Sequence, residues 1–290
     1  MHSKDDSFDY QVLKLTKQFN NEERGVKPKT LPAQNSLAQT FDTIVSSYEK
    51  MRPGYPDKLY QTIFHYMPLG KSSNAVEVGI GGGQATLPVL QTGCRLTAVE
   101  YGEHFSSLCR KKFSTYPEFS VITAKFEDVN FNPDTYDFVF SASAFHWIPE
   151  ETGYKKVFSM LKSGGAFARF ANHPFAAKEN PRLCKEIQNL YAIYMNSTSA
   201  PMEYTKENAE QRADIAYKYG FCDIQYKLFQ RTRTFTAKEY TALLGTYSDH
   251  ISLEENKRTE FFSEIEKTID HFGGKITIYD TIDLQLARKP

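Results

Sequence analysis

The sequence predicts an α/β fold, in which a mostly parallel β-sheet is covered by helices on both faces as a three-layer αβα sandwich. Short apolar runs alternate with helix-length segments between residues 75 and 170. Strands that alternate with helices of this length are typical of βαβ units and of a parallel sheet with two covered faces. With 290 residues, the chain is long enough to bury such a sheet without disulfides or metals.

Five strands and three helices are predicted in this first region. The strands are 75–78, 96–99, 119–122, 137–141 and 166–170, and the helices are 84–91, 103–113 and 150–161. The third helix is expected to stop at Ser163-Gly164-Gly165, because glycine is favoured just past a helix end.

The rhythm changes after Pro174. Two helices, 180–196 and 206–219, follow without a strand between them, and then come a strand at 223–234, helices at 236–246 and 253–272, and a strand at 275–287. Helices inserted after the fifth strand lie near the carboxyl ends of the strands, where open α/β sheets bind ligands. We therefore predict a helical lid over the substrate at about 175–222.

The charge balance argues against a polyanionic partner. Lysine plus arginine and aspartate plus glutamate both number 35, so the formal net charge is zero. Such a chain has no global attraction to nucleic acid or to an anionic membrane. The chain contains no apolar run of about 18 residues, and its first six residues lack the apolar stretch of a signal peptide. We expect a cytoplasmic protein with a small-molecule partner.

The cysteines and the amino-terminal segment carry little functional signal. Cys94, Cys109, Cys184 and Cys222 are far apart and form no C-x-x-C pair, which favours buried thiols over a metal site. Residues 1–36 are polar and charge-rich, and we interpret them as an amino-terminal arm, with a flap over the active site as the alternative. Residues 37–290 form the remaining domain.

The sharpest motif is the segment 76–83, with the sequence VEVGIGGG, which runs from a strand through a glycine-rich turn into a helix. Glycine is needed where the backbone turns tightly or closely approaches a ligand, because a Cβ would clash there. The exposed amides at the start of the following helix favour a carboxylate or a phosphate. We place Gly79, Gly81 and Gly83 at a ligand, and expect Gly79→Val to weaken its binding while leaving the fold intact.

The spacing of this loop differs from the dinucleotide fingerprint. G-x-G-x-x-G would require a glycine at Gln84 or at Thr86, whereas the spacing here is E-x-G-x-G-x-G. Glu77 would be unfavourable beside a pyrophosphate and favourable beside an ammonium group. A ligand with one carboxylate, one amine and a sulfonium therefore fits better than a dinucleotide, and a nicotinamide-dependent oxidoreductase is kept as the less favoured alternative.

A second acidic residue, Glu100, follows Gly83 by seventeen residues and ends the second predicted strand. In sheets of this kind, an acidic residue there can accept hydrogen bonds from both hydroxyls of a ribose. Tyr101 follows it and is a candidate to lie against an adenine ring. Taken alone, Glu100 is equally compatible with a solvated charge at a strand end.

The stretch from about Phe41 to Asn172 resembles the class I S-adenosylmethionine-dependent methyltransferases, in the branch that includes trans-aconitate methyltransferase. Glu77 through Gly83 resembles the first motif of that family, and Glu100 resembles its second. The resemblance implies a Rossmann-like, seven-stranded, mostly parallel sheet in which the last long strand is inserted antiparallel. It also implies S-adenosylmethionine as the cofactor and a small acceptor, with carboxylic acids among the candidates.

The resemblance extends to three further segments. Residues 124–128 lie where the family has a short acidic turn against the adenine, but Lys125 replaces the usual aspartate, so the contact moves to Glu127 or to the backbone around Phe126. Residues 137–149 resemble the fourth strand and its loop, which places Ser141 at the cofactor. The pair His146-Trp147 within that loop is common in the branch. Residues 48–56 resemble the segment before the first sheet helix, where Tyr48 and Arg52 would reach the methionine end of the cofactor.

Several single residues retain two interpretations. His146 is a candidate general base, since its ordinary pKa near 6.5 suits proton removal, or a residue that packs at the cofactor rim. Trp147 is expected either to wall the pocket or to lie in the core. Arg52, Arg169 and His173 are candidates to hold a substrate carboxylate, against the commoner role of surface ion pairing. At the level of the whole protein, the alternative to an enzyme is a non-catalytic subunit or sensor that binds S-adenosylmethionine.

Overall fold

The computed structural model describes residues 51–198 and 202–290. The amino-terminal arm, residues 1–36, and Tyr48 lie outside these residues, so both remain predictions. No helix in the described ranges is long and apolar enough to cross a membrane.

The centre of the protein is a seven-stranded sheet. Its strands are β1 (Asn74–Val78), β2 (Arg95–Glu100), β3 (Phe119–Thr123), β4 (Tyr136–Ala142), β5 (Leu161–Phe175), β6 (Cys222–Thr236) and β7 (Lys275–Arg288). Their order across the sheet is β3-β2-β1-β4-β5-β7-β6. β1 to β5 pair in parallel, and β7 pairs antiparallel with both β5 and β6. The predicted α/β sandwich with one antiparallel strand is confirmed.

The α-helices of the described residues are α1 (Asp57–Tyr66), α2 (Thr86–Leu90), α3 (Glu103–Lys112), α4 (Glu150–Met160), α5 (Pro181–Met195), α6 (Lys206–Asp214), α7 (Ala237–Leu244), α8 (Ser248–Ile251) and α9 (Glu255–His271). Local sequence signals explain several starts. α5 begins with a proline in its first turn, and the side chain of Asn180 accepts a hydrogen bond from the amide of Leu183. α7 begins with a capping box formed by Thr236 and Glu239.

The two faces of the sheet carry separate apolar clusters. Alternation along β1 sends Ala75 to the cluster that α1, α2 and α3 cover, and sends Val76 and Val78 to the cluster that α4 covers. The sheet is therefore buried on both faces, as the sequence predicts. The carboxyl edge of β1, β2 and β4 lies between these two layers of helices.

β5, β7 and β6 extend beyond the rest of the sheet. β4 ends at Ala142, opposite Phe170, whereas β5 continues to Phe175 and pairs there with Tyr279 of β7. Beyond this point the apolar side chains of β7 pack in a third cluster with α5, α7 and α9. Phe261, Ile265 and Ile269 are fully buried in it. The third cluster is thus a second small core beside the carboxyl edge of the sheet.

The predicted insertion at 175–222 divides into two parts. α5 joins the third cluster, whereas α6 packs on the face of β6 and β7 and continues into a 3-10 helix, Ile215–Tyr219. Only the first of the two inserted helices therefore belongs to the structure above the carboxyl edge. The predicted helix 206–219 is correct in extent but changes type after Asp214.

The predicted boundary between the helix 150–161 and the fifth strand is wrong. α4 ends at Met160, and β5 begins at once with Leu161 instead of after a glycine turn. Gly164, at φ +79°, lies inside this strand segment, where its amide donates to the carbonyl of Lys289. The glycines thus serve an irregular strand pairing and do not cap the helix. The predicted helix 253–272 is confirmed as α9, and the short helix α8 before it was not predicted.

The cysteines agree with the prediction except at one position. Cys94, Cys109 and Cys184 are buried, whereas Cys222 at the start of β6 is half-buried, and all four are free thiols. No group of three or more histidine, cysteine or acidic side chains with the spacing of a metal site occurs within 51–198 and 202–290.

Candidate active site

The glycine loop lies at the carboxyl end of β1 and adopts the backbone conformation that its sequence predicts. Gly79, Gly81 and Gly83 have φ values of +74°, +52° and +73°, which side chains disfavour. A Cβ on Gly79 would lie 2.4 Å from the Cβ of Ala144, in the loop after β4. The expectation that Gly79→Val leaves the fold intact is therefore wrong, because the added side chain would meet Ala144 before it met a ligand.

Glu77 is fully buried beneath this loop. Its Oε2 accepts a hydrogen bond of 2.8 Å from the hydroxyl of Thr86, whereas its Oε1 is buried and has no hydrogen-bond partner among the described residues. Burial of the carboxyl raises the pKa of Glu77 to about 8; the hydrogen bond from Thr86 opposes this shift and the charge of Glu100 adds to it. A buried carboxyl with one unsatisfied oxygen is suited to accept a donor from an ammonium group.

Glu100 closes the loop from the end of β2. Its Oε2 accepts from the amide of Gly81 at 2.9 Å, and its Oε1 accepts from the amide of Gly102 at 2.8 Å. These bonds orient the carboxylate and leave it further lone pairs, since an ionised carboxylate offers about four acceptor positions. The interpretation of Glu100 as a merely solvated charge is wrong, because it joins the ends of β1 and β2.

The residues expected to contact an adenine ring range from exposed to fully buried. Tyr101 is 72% exposed, and the ammonium of Lys125 lies 5.6 Å from its ring centre. Phe126 is buried in the core, so only its backbone faces the edge of the sheet. The carbonyls of Phe126 and Glu127 accept from Nζ of Lys156 at 2.6 Å and 2.8 Å, and the side chain of Glu127 is half-buried.

The end of β4 is held to β1 and to the segment before α1. The buried hydroxyl of Ser141 donates to the carbonyl of Val78 at 2.8 Å, which fixes the two strand ends together. Ser143 follows with φ +53°, and its hydroxyl lies 2.9 Å from that of Tyr55. Sequence reasoning did not single out Ser143 or Tyr55, although both lie within segments that resemble the family, because nothing local indicates that their hydroxyls meet.

Arg52 lies on the short turn after α7. Its Nε donates to the hydroxyl of Thr246 at 2.9 Å, and its guanidinium carbon lies 4.0 Å from the ring centre of Tyr247. This contact ties the segment before α1 to the third cluster, because Tyr247 packs against that cluster. A contact of Arg52 with a cofactor remains a prediction.

His146 and Trp147 form a short 3-10 helix, Phe145–Trp147, in the loop after β4. His146 is exposed, and Trp147 is 53% exposed, so the core interpretation of Trp147 is wrong. Phe145 instead faces inward and anchors the loop in the core. The side chains of His146 and Trp147 therefore lie on the rim of the carboxyl edge of the sheet.

Two buried carboxylates in β7 organise the neighbouring edge, and the sequence pattern missed both. Asp280 accepts hydrogen bonds from the guanidinium groups of Arg231 and Arg233 of β6 and from the side chain of Asn172 of β5. Arg231 also donates to the carbonyl of Gly54 at 2.6 Å, so this cluster secures the segment before α1. A signal was present in the sequence: two aspartates interrupt the isoleucine- and leucine-rich strand β7.

Asp283 is the second carboxylate and lies on the opposite face of β7. Its Oδ1 accepts from the amide of Ala171 at 3.0 Å and from Nε2 of His173 at 2.9 Å. Its Oδ2 accepts from the hydroxyl of Tyr204 at 3.2 Å and from the side-chain amide of Gln285. Burial raises the pKa of Asp283, but the hydrogen bond and charge of His173 and the two nearby arginines outweigh burial, so the pKa lies below its ordinary value.

Comparison with known proteins agrees with this geometry. Residues 76–168 match the family described as "Methyltransferase domain". The match begins at β1 and ends in β5, so it contains the glycine loop, Glu100 and the loop after β4. The protein is an S-adenosylmethionine-dependent methyltransferase. The match favours this assignment over the oxidoreductase alternative.

Relatives of this methyltransferase share most of its length at low identity. It is 20% identical to an uncharacterized methyltransferase of Schizosaccharomyces pombe over 80% of this chain and 88% of the relative. It is 28% identical to the "Probable S-adenosylmethionine-dependent methyltransferase CRG1" of Saccharomyces cerevisiae over 66% of this chain and 63% of the relative.

Solved structures share the fold of this methyltransferase. A chain described as a type II methyltransferase from Anaeromyxobacter dehalogenans superposes with a TM-score of 0.58 at 17% identity, covering 82% of this chain and 97% of that one. Phosphoethanolamine N-methyltransferase 2 of Haemonchus contortus, solved with S-adenosyl-L-methionine, superposes with a TM-score of 0.52 at 16% identity, covering 91% and 61%.

The chemistry of the glycine loop fits the cofactor. The unsatisfied buried Oε1 of Glu77 matches an ammonium donor, and the oriented carboxylate of Glu100 matches a pair of ribose hydroxyls. The positive-φ glycines at 79, 81 and 83 keep the loop free of side chains that would stand between these two groups.

Proposed function

We propose that this methyltransferase modifies a small acidic metabolite, and that it holds the cofactor between the glycine loop, Glu77, Glu100 and the backbone around Phe126. When bound, S-adenosylmethionine supplies a methyl group activated by a sulfonium. The residues of the chain bind and orient it: Glu77 accepts from its amino group, Glu100 accepts from its ribose, and Tyr101 lies at the mouth beside the adenine.

The observation that carries the acidic acceptor is the position of Arg169 and His173. Both side chains point to the same face of β5, because they are four residues apart in one strand. The guanidinium carbon of Arg169 lies 5.6 Å from the ring centre of Phe145 in the loop after β4, and Ala144 of that loop lies against Gly79. Positive charge thus lies one loop away from the cofactor site.

Positioning is the main catalytic device in this proposal. Methyl transfer needs the acceptor atom in line with the methyl group, and correct placement alone is worth several kcal/mol, up to roughly 7–11 kcal/mol. An ionised carboxylate needs no base before it reacts. For an acceptor that carries a proton, His146 on the rim is the candidate base.

An acceptor screen tests the proposal. The purified protein is incubated with S-adenosylmethionine and a panel of small carboxylic acids, each paired with its uncharged amide, and S-adenosylhomocysteine is measured. We expect product with at least one acid and none with its amide. Product formed only with neutral or macromolecular acceptors would contradict the acidic-metabolite proposal while leaving the methyltransferase assignment intact.

A further inference from the structure

Two buried arginines meet beneath α6, one from the sheet and one from the helix. Arg169 of β5 is 9% exposed, and the side chain of Arg212 of α6 is 17% exposed. Both lie around Asp283: Arg169 pairs in register with Gln285, whose side chain donates to Asp283, and Nε of Arg212 lies 3.9 Å from Oδ2 of Asp283. Burial, followed by the charge of Arg212, lowers the pKa of Arg169. Buried arginines are normally paired with carboxylates, often through two parallel hydrogen bonds.

The nearby carboxylate does not supply those hydrogen bonds. Both oxygens of Asp283 are already occupied by the donors described above, namely an amide, an imidazole, a phenol and a side-chain amide. Nε of Arg212 lies 3.9 Å from Oδ2 of Asp283, which is beyond hydrogen-bond range. Asp283 therefore balances one of the two charges without satisfying either guanidinium.

Donor groups of both arginines remain unsatisfied. Arg169 donates through one terminal nitrogen to the hydroxyl of Tyr154 at 2.9 Å. The Nε atoms of Arg169 and Arg212 are buried and have no hydrogen-bond acceptor within the described ranges of the chain. Glu150, the other acid whose pKa is lowered by Arg169, already accepts from Lys218 and Tyr219. The cluster thus carries an excess of positive charge and of donors.

A series of contacts connects the two arginines to the cofactor loop. Gly79 of the cofactor loop lies against Ala144, and the adjacent Phe145 lies against Arg169. The charge of Arg212 in turn lowers the pKa of Arg169. On the side of β7, the ring of Tyr204 stacks on that of His173 at 3.7 Å between centres. Tyr204 belongs to the segment that joins α5 to α6, so the inserted residues cover this cluster.

We infer that Arg169 and Arg212 form the subsite that binds a carboxylate group of the methyl acceptor. This inference rests on the proposed acidic acceptor and deepens it by assigning the residues that recognise the acid. Asp283, His173 and Tyr204 are positioning residues, because they hold β5, β7 and the covering segment around the two guanidinium groups. Selectivity for acids follows from burial, since an uncharged acceptor would leave both arginines unsatisfied.

Binding of simple carboxylates to the full chain provides the test. Titrations of citrate, succinate and acetate, with succinamide as the uncharged probe, are carried out by calorimetry in the presence of saturating S-adenosylhomocysteine. The variant is Arg212→Gln, chosen because glutamine keeps a polar side chain at this largely buried position and removes only the charge. The matched control is Arg95→Gln, an exposed arginine of β2 that pairs with Glu118.

We expect wild-type protein to bind at least one carboxylate and not succinamide. Arg212→Gln should weaken that affinity about tenfold or more, while Arg95→Gln changes it less than about twofold. Affinity for S-adenosylhomocysteine and the thermal midpoint should be unchanged in Arg212→Gln, which separates loss of the subsite from loss of the fold. Where an acid is methylated, the variant should raise KM.

Two results would overturn the inference: wild-type protein that binds no carboxylate, or an Arg212→Gln variant that binds carboxylates as well as wild type does. Failure of the proposed function is a different outcome. In that case the acceptor screen yields no methylated acid, although the titrations still show carboxylate binding that depends on Arg212.

Discussion

Replacing Glu77 with glutamine should abolish the pH dependence that this residue imposes on stability. The pKa of Glu77 is about 8 in the folded protein against an ordinary value of 4.5. Between these two values the folded state holds a proton that the unfolded state has released. The free energy of unfolding therefore falls as pH rises, by about 1.4 kcal/mol for each pH unit.

The whole interval corresponds to roughly 5 kcal/mol, which is comparable to the entire stability of a small domain, about 5–15 kcal/mol. Glu77→Gln removes this titration. Its side-chain amide places two donors where one unsatisfied acceptor stood, which costs about 1–3 kcal/mol at every pH. We expect the variant to be less stable than wild type at pH 5 and more stable by a few kcal/mol at pH 8.

Urea denaturation followed by circular dichroism at pH 5, 6, 7 and 8 measures the free energy of unfolding of both proteins and shows where the two curves cross. Glu118→Gln, at an exposed ion pair with Arg95, is the control and should follow the wild-type curve. Saturating S-adenosylhomocysteine should flatten the wild-type curve, because an ammonium beside Oε1 favours the ionised carboxyl. A difference between Glu77→Gln and wild type that stays constant from pH 5 to pH 8 would refute the reasoning.

Three further substitutions probe the site and its supports. Glu100→Ala should weaken binding of S-adenosylhomocysteine by about 1–3 kcal/mol in calorimetry, because it removes the oriented acceptor at the end of β2; an unchanged affinity would exclude this residue from the cofactor site. Gly83→Ala should destabilise the fold by about 1–3 kcal/mol in thermal denaturation, because residue 83 has a positive φ and the added Cβ would lie 2.6 Å from the ring of Phe113. The control Gly70→Ala should be nearly neutral, since its added Cβ would have no atom within 4 Å. Asp280→Ala should cost about 3–5 kcal/mol in urea denaturation, since it leaves two arginines without their buried carboxylate; a loss below 1 kcal/mol would show that the cluster is not buried as described.

Sequence reasoning was most accurate where the signal is local. The alternation of apolar runs predicted each of the seven strands of the described chain, and the positive-φ glycines at 79, 81 and 83 were recognised because only glycine adopts that conformation at low cost. It failed where local signals conflict: Gly164 follows a helix, as a cap would, but it serves a strand irregularity that depends on a partner at the far end of the chain.

Other features of the site could not be predicted from local sequence. The contact between Gly79 and Ala144 joins two loops that are 65 positions apart, and it decides what a substitution at Gly79 would do. The burial of Glu77, which sets its pKa, depends on the helices packed over β1 and not on its neighbours in the chain. Trp147 is exposed because the adjacent Phe145 occupies the core position.

The sequence by itself determined the class of fold, the glycine loop and its two carboxylates, because strand periodicity, positive-φ glycines and strand-end acids are encoded within a few neighbouring residues. Only the tertiary structure decided that Arg169, Arg212 and Asp283 meet beneath α6. These residues come together because β7 is inserted antiparallel between β5 and β6. The pairing of β7 with β5, more than a hundred residues away in the chain, is fixed by the packing of the whole sheet.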